Sequence, residues 1–354
     1  MRGEVSICPM SHTIELDFSL RAARLDAVPV IDISPLRRGP GQAVPGKAAM
    51  VEAIGRACRE IGFFYAVGHG VPQAQIDAVY AQARRFFDLP EALKGQIAIE
   101  RSSCHRGWFR LGSENLDPAK QDAGDFKEGL KIGRDLAPDH ERVRAGLPLH
   151  GPNQWPDLPG WRDVMQAYYD EMVELGRRVI GGFALALGLD EAFFEPWLGI
   201  TMTTLAPLHY PPQTGRITER QIGAGAHTDY GCLTLLHQDA AGGLQVRRRD
   251  GVWLDAPPLP GSFVVNIGDM MERWSNGVFR STPHRVVNVS GADRYALPFF
   301  FDPDFHAPVE CLPTCLVEGQ APRFRPTTAG AHMLEKIAES FAYTRGKADS
   351  PRPV

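Results

Sequence analysis

The chain has 354 residues, 44% of them hydrophobic, which is enough to bury a sizeable core in one large domain or two. Its formal net charge of −4 leaves no basic footprint and argues against nucleic acid as a partner, and no apolar run reaches the roughly 18 residues that a membrane span needs. The six cysteines (Cys8, Cys58, Cys104, Cys232, Cys311, Cys315) form no C-x-x-C pair and no regular spacing, so free thiols in a cytoplasmic protein are expected. The oligomeric state is left open between a monomer and a small homo-oligomer.

Residues 1–26 show no sustained period and read as an N-terminal arm. Val28-Pro29-Val30-Ile31-Asp32-Ile33 reads as a short strand, followed by a Pro/Gly-rich loop. Met50, Ile54 and Cys58 recur at helical spacing over 47–60, and the strand Phe63-Phe64-Tyr65-Ala66-Val67 follows Gly62. Residues 72–87 carry Ile76, Val79, Tyr80 and Ala83 on one side and form a second amphipathic helix, stopped by Pro90. From Ser102 to Arg134 charges and aromatics mix without a helical period. That segment reads as a long polar loop, of the kind that covers sites. Its Arg106, Trp108 and Arg110 are candidate substrate contacts.

Residues 161–187 make the longest helical pattern, with Met165, Tyr168, Tyr169, Met172, Leu175, Val179 and Phe183 on one stripe, and predict a helix that supports a sheet. From about Met202 the texture changes to short β-rich runs separated by Gly and Pro, the pattern of a sandwich or barrel. Residues 327–343 predict a closing helix before a frayed tail.

Within the β-rich half, Gly223-Ala224-Gly225-Ala226-His227-Thr228-Asp229 places an imidazole and a carboxylate two residues apart where a strand opens. Side chains at i and i+2 of a strand share a face, so His227 and Asp229 can grip one ion. His284, in Ser281-Thr282-Pro283-His284-Arg285, is the candidate third ligand. Two His and one carboxylate on one side of a metal leave three positions open, the facial arrangement of non-haem Fe(II) oxygenases. A second H-x-D, His237-Gln238-Asp239, runs into Ala240-Ala241-Gly242-Gly243, so Asp239 is expected to start a turn instead. Arg294 enters the apolar run Tyr295-Ala296-Leu297-Pro298-Phe299-Phe300-Phe301. A buried guanidinium needs a partner, and its planar fork suits a structural carboxylate or the far end of a diacid ligand.

The order His227-x-Asp229, His284, Arg294, preceded by Leu208-His209-Tyr210-Pro211-Pro212, resembles the isopenicillin N synthase-like branch of 2-oxoglutarate and Fe(II)-dependent oxygenases. Val28 to Asp32 and Gly62-Phe63-Phe64-Tyr65-Ala66-Val67-Gly68-His69-Gly70 resemble the N-terminal region of that family. The resemblance implies an α+β protein with a mainly β core: a double-stranded β-helix (jelly-roll, cupin-like), flanking helices and an N-terminal mixed α/β region. The implied division is an arm (1–26), an N-terminal oxygenase region (27–150), a support-helix region (151–200), the catalytic jelly-roll (201–310) and a C-terminal loop, helix and tail (311–354).

Carried over by residue, the resemblance implies that His227, Asp229 and His284 hold Fe(II), that Arg294 binds the distal carboxylate of 2-oxoglutarate, and that Tyr210 sits in the carboxylate pocket. With O2, such an enzyme oxidises, typically hydroxylates, a small molecule and releases succinate and CO2. Tyr230 and Phe301, beside the metal motifs, join the candidate substrate contacts. Family members usually carry Arg-x-Ser where this chain has Arg294-Tyr295-Ala296, and plant relatives often carry Asn where it has Leu208. These departures leave two alternatives: a 2-oxoglutarate-independent Fe(II) oxidase or cyclase of the isopenicillin N synthase type, and a non-catalytic jelly-roll that binds metal or carboxylate.

Overall fold

A computed structural model describes residues 15–16, 28–39 and 44–341. Most of the expected arm (1–26), and the frayed tail, lie outside the described residues. The elements used below are, in chain order, β1 (Val30–Asp32), α1 (Lys47–Glu60), β2 (Phe63–Val67), α2 (Gln73–Phe87), β3 (Gly107–Phe109), β4 (Glu128–Gly133), α3 (Trp161–Ala186), β5 (Thr204–Leu205), β6 (Leu208–Tyr210), β7 (Ala224–His227), β8 (Leu233–Gln238), β9 (Leu244–Arg247), β10 (Trp253–Asp255), β11 (Phe263–Ile267), β12 (His284–Val286), β13 (Arg294–Phe301) and α4 (Ala329–Ser340).

Two sheets carry the site. The larger runs β1-β2-β11-β8-β13-β5-β4-β3, with β6 pairing both β13 and β4, and the smaller runs β10-β9-β12-β7. Every pairing in them is antiparallel except β1 with β2. Strand alternation divides the large sheet's side chains between two destinations. From β13, Tyr295, Leu297, Phe299 and Phe301 join the main hydrophobic cluster with residues of α1, α2 and α3. Ala296, the neighbour of opposite parity, packs instead with Tyr210, Ala224, Leu244, Val246 and Val286, a second cluster that joins the two sheets. β8 divides the same way, with Leu233 and Leu235 in the main cluster and Leu236 against the second.

The α3 helix lies against the large sheet closely enough that a Cβ on Gly176 would overlap the Phe301 ring. A sequence period of 3.6 read correctly as a sheet-supporting helix here because its stripe, Met165 to Phe183, is wholly buried. The 102–134 segment departs from the loop expectation. It supplies β3 and β4, and Arg106, Trp108, Phe109, Lys127 and Glu128 are all buried. Its charges conceal the strand pattern because they are paired inside the protein: Lys94 bridges Glu128 at 2.8 Å, and Lys127 bridges Glu114 at 2.9 Å.

Candidate metal centre and its cavity

His227 ends β7, Asp229 follows two residues later, and His284 opens β12, which pairs with β7 so that His284 lies directly opposite His227. The glycines before the motif permit this approach: a Cβ on Gly223 would come within 2.9 Å of the Tyr210 ring and 3.0 Å of the Val286 carbonyl oxygen. Nε2 of His227 lies 3.7 Å, and Nε2 of His284 3.6 Å, from Oδ1 of Asp229. One ligand atom from each of the three lies within 4.8 Å of the others.

The surrounding hydrogen bonds leave the right atoms free. Nδ1–H of His227 donates to the Gly225 carbonyl at 2.7 Å and Nδ1–H of His284 to the Thr282 carbonyl at 3.1 Å, so each ring presents a bare Nε2. Oδ2 of Asp229 accepts from Thr234 Oγ1 at 2.5 Å and from Asn266 Nδ2 at 2.7 Å, which turns Oδ1 toward the histidines. Burial opposes ionisation of Asp229, yet His284, His227 and the Asn266 bond outweigh it and hold the carboxyl well below the usual range. Burial and the neighbouring His284 push His227 down to about 3, so this ring is a neutral donor at physiological pH. The donor set therefore fits a divalent ion with open positions.

The triad opens on a cavity of about 140 Å³ that extends along the inner face of β13, past Ala296, Pro298 and Phe300. Arg294 closes one end. It is 1% exposed; its Nε donates to the Gly242 carbonyl, its guanidinium lies 4.5 Å from the centre of the Tyr210 ring, and both terminal nitrogens lack a hydrogen-bond partner. Four buried, unspent N–H bonds on a residue that lines the cavity fit a carboxylate ligand.

Of the remaining candidates, Arg106 and Tyr230 line the cavity, and Tyr230 meets Ser340 of α4 through its hydroxyl. Trp108, Arg110 and Phe301 do not. The Trp108 indole turns to Glu128 at 2.8 Å, Arg110 stands exposed near the Trp108 ring, and Phe301 packs on α3. Strand alternation is the reason: the neighbours Phe109 and Phe300 face the cavity in their place. Thr234 and Asn266, which orient Asp229, carry a signal that was readable, since each is a polar residue inside an apolar strand. Glu114, Lys127 and Lys131 also line the cavity, with no local signal to announce them. The second H-x-D makes a turn, as expected: Asp239 accepts from the Ala241 N–H at 3.0 Å, while His237 Nδ1 meets the Tyr80 hydroxyl at 2.9 Å.

An antiparallel β core with a His/Asp/His group and an unpaired cavity arginine defines a non-haem iron oxygenase of the double-stranded β-helix class. Residues 28–158 match the family model described as non-haem dioxygenase in morphine synthesis N-terminal, and residues 203–303 match the 2OG-Fe(II) oxygenase superfamily. The chain is 39% identical over 332 residues to the 2-oxoglutarate-Fe(II) type oxidoreductase hxnY of Emericella nidulans, covering 92% of each chain. It is 38% identical to homoarginine-6-hydroxylase 2-ODD-C23.2 of Arabidopsis thaliana, covering 89% of each. The crystal structure of a full-length Neurospora crassa protein in complex with alpha-KG and thymine superposes with a TM-score of 0.76 at 29% identity, over 90% of this chain and 99% of that one.

The chain belongs to the 2OG-Fe(II) oxygenase superfamily. It is a 2-oxoglutarate-dependent, non-haem Fe(II) dioxygenase that uses O2, and neither the 2-oxoglutarate-independent nor the non-catalytic alternative is supported. No helix among the described residues is long and apolar enough to cross a membrane.

Proposed function

We propose that His227, Asp229 and His284 hold the Fe(II), that Arg294 grips the distal carboxylate of 2-oxoglutarate against Tyr210, and that the enzyme hydroxylates a small molecule lying in the rest of the cavity. The pair of partnerless terminal nitrogens on buried Arg294 carries this reading. A protein that buried this cation without a ligand in prospect would lose several kcal/mol for nothing. Fe(II) with 2-oxoglutarate supplies the oxidising power: one oxygen of O2 goes to the substrate and one to succinate, with loss of CO2.

The chain's own residues do the positioning. Thr234 and Asn266 hold the Asp229 carboxylate so that it presents one oxygen, and the Gly225 and Thr282 carbonyls hold the two imidazoles in the metal-binding tautomer. Ala296, Pro298 and Leu236 wall the channel between Arg294 and the triad with apolar surface, which keeps water off the cosubstrate. Ala296 supplies no hydroxyl, so recognition of the far carboxylate rests on the guanidinium fork.

A small-molecule substrate agrees with the size of the cavity and the acidic balance of the chain, and the hydroxylase named among its relatives supports the reaction type. Free thiols at Cys58, Cys104, Cys232, Cys311 and Cys315 agree with a reducing, cytoplasmic setting. The test is succinate release with Fe(II), 2-oxoglutarate and O2 in wild type and in Asp229→Ala. Loss of both Fe(II) binding and turnover in the variant is expected; a variant that keeps either would sink the assignment.

A further inference from the structure

The cavity has a cation at each end, and only one of them belongs to the cosubstrate. Strand register fixes the second. The Arg106 guanidinium lies flat on Gly133, where any Cβ would overlap it. Gly133 pairs with Thr204, and Thr204 pairs with Phe300. Arg294 pairs with Tyr210 at the opposite end of β13. The two arginines therefore stand at opposite ends of a strand whose six steps cover on the order of 20 Å. On the other side of β13, Phe300 pairs with Thr234, which bonds Asp229, while Ala296 packs with Ala224 and Val286 of the strands that carry His227 and His284, so the metal group lies between the two arginines.

Arg106 is 3% exposed and lines the cavity. Its Nε has no hydrogen-bond partner, and its terminal nitrogens reach only backbone carbonyls, of His105 at 3.4 Å and of Leu149 at 3.2 Å. A guanidinium has five N–H donors, and most of these are unspent. Asp135, the carboxylate on that side, is occupied by Arg162 at 3.0 Å and the Asn153 N–H at 2.8 Å. Glu114 is likewise committed, to Lys127 at 2.9 Å and Lys131 at 3.6 Å, and Asp125 is bound to Lys127. Counting Arg162, this side holds four cations, Arg106, Arg162, Lys127 and Lys131, against the three carboxylates Asp135, Glu114 and Asp125, an excess of one cation. Apolar rings line the same cavity: Phe341, Phe109 and Phe300 surround the Lys131 ammonium at 5.0, 5.7 and 6.0 Å.

We propose that the substrate is a carboxylic acid with an apolar or planar body, its carboxylate bound by Arg106 and its body packed among Phe109, Phe300 and Phe341. The proposal rests on the assignment of 2-oxoglutarate to Arg294, since an empty Arg294 would compete for the same anion. A guanidino substrate, such as the one named for the Arabidopsis relative, would need a free carboxylate on this wall, and Glu114 is held by two lysines.

The experiment is calorimetric titration of the whole chain loaded with Mn(II), which gives no turnover, and saturating 2-oxoglutarate. The probes are hexanoate, phenylacetate and 3-phenylpropionate, each beside its primary amide, together with homoarginine. At least one acid binds, at least about tenfold tighter than its amide, because the amide forfeits the charge-assisted hydrogen bonds. Arg106→Gln removes that preference without changing the affinity for 2-oxoglutarate, and Arg106→Lys retains part of it. The Lys variant and the wild-type acid-to-amide ratio carry the test if the Gln variant does not fold. Equal binding of acid and amide, a preference that survives Arg106→Gln, or no binding by any of the three acids overturns the proposal, whether or not homoarginine binds. Failure of 2-oxoglutarate to bind the Mn(II) protein in the first step overturns the Arg294 assignment instead, and the two failures are read separately.

Discussion

Replacing Arg294 by Met tests the cosubstrate pocket most directly. Within the chain the guanidinium has one bond, from Nε to the Gly242 carbonyl, and a ring contact with Tyr210 at 4.5 Å, while both terminal nitrogens are unspent. A distal carboxylate would take two parallel charge-assisted hydrogen bonds from that fork, each worth about 1.5–3 kcal/mol. With no serine at position 296 to share the load, the loss is about 3–6 kcal/mol, or roughly a hundred- to ten-thousandfold in Kd. Arg294→Lys keeps the charge but not the fork and falls between. Ala296, on the same strand face two residues on, allows the converse: Ala296→Ser tightens 2-oxoglutarate by roughly ten- to a hundredfold if its hydroxyl adds one such bond. Titration of each variant with 2-oxoglutarate in the presence of Mn(II) measures these values. The thermal midpoint without cosubstrate is expected to change little, because losing the Gly242 bond is offset by removing an unpaired buried charge. Arg294→Met binding 2-oxoglutarate within about tenfold of wild type would refute the reasoning.

Three further outcomes follow from the structure. Thr234→Val and Asn266→Leu each remove one of the bonds that aim Asp229, at 2.5 and 2.7 Å, and should weaken Mn(II) or Fe(II) binding by about 10–100-fold in a metal titration while the fold persists. Burial, aided by His69, holds His237 down at about 4, against 6.5 for a free histidine; the unfolded chain therefore takes up its proton first. Stability is fully present above pH 6.5 and falls by up to about 3 kcal/mol as pH drops to about 4, a slope that urea melts should show and that His237→Gln should flatten. Gly176→Ala puts a methyl into the Phe301 ring across the α3–β13 contact, so despite the better helix propensity of Ala it should cost about 1–3 kcal/mol by overpacking; an unchanged urea midpoint would contradict the packing described.

Much of this protein was legible in one dimension because its signals are local. The 3.6-residue stripe of α3, the short alternating runs after Met202, and the i, i+2 placement of His227 and Asp229 each depend only on backbone geometry within a few residues. Arg294 stood out because a charge in an apolar strand demands a partner wherever the strand goes. The 102–134 segment was not legible in this way. Its charges look like a solvated loop until Lys94, from the turn after α2, pairs with Glu128, and Glu114 and Asp125 of the segment itself close on Lys127 inside the protein.

Which aromatic faces the cavity is also a tertiary decision. Phe300 and Phe301, or Trp108 and Phe109, are equivalent in composition and one residue apart, and a shift of one residue in register exchanges the cavity for the helix-packed core. The sequence alone determined the class of chemistry, because the metal-binding pattern sits within one strand opening and one histidine beyond it. Only the tertiary structure decided the shape and charge of the cavity, because Arg106, Lys131, Phe300 and Phe341 are brought together by strand pairing and by the docking of the C-terminal helix, with no short-range spacing to record it.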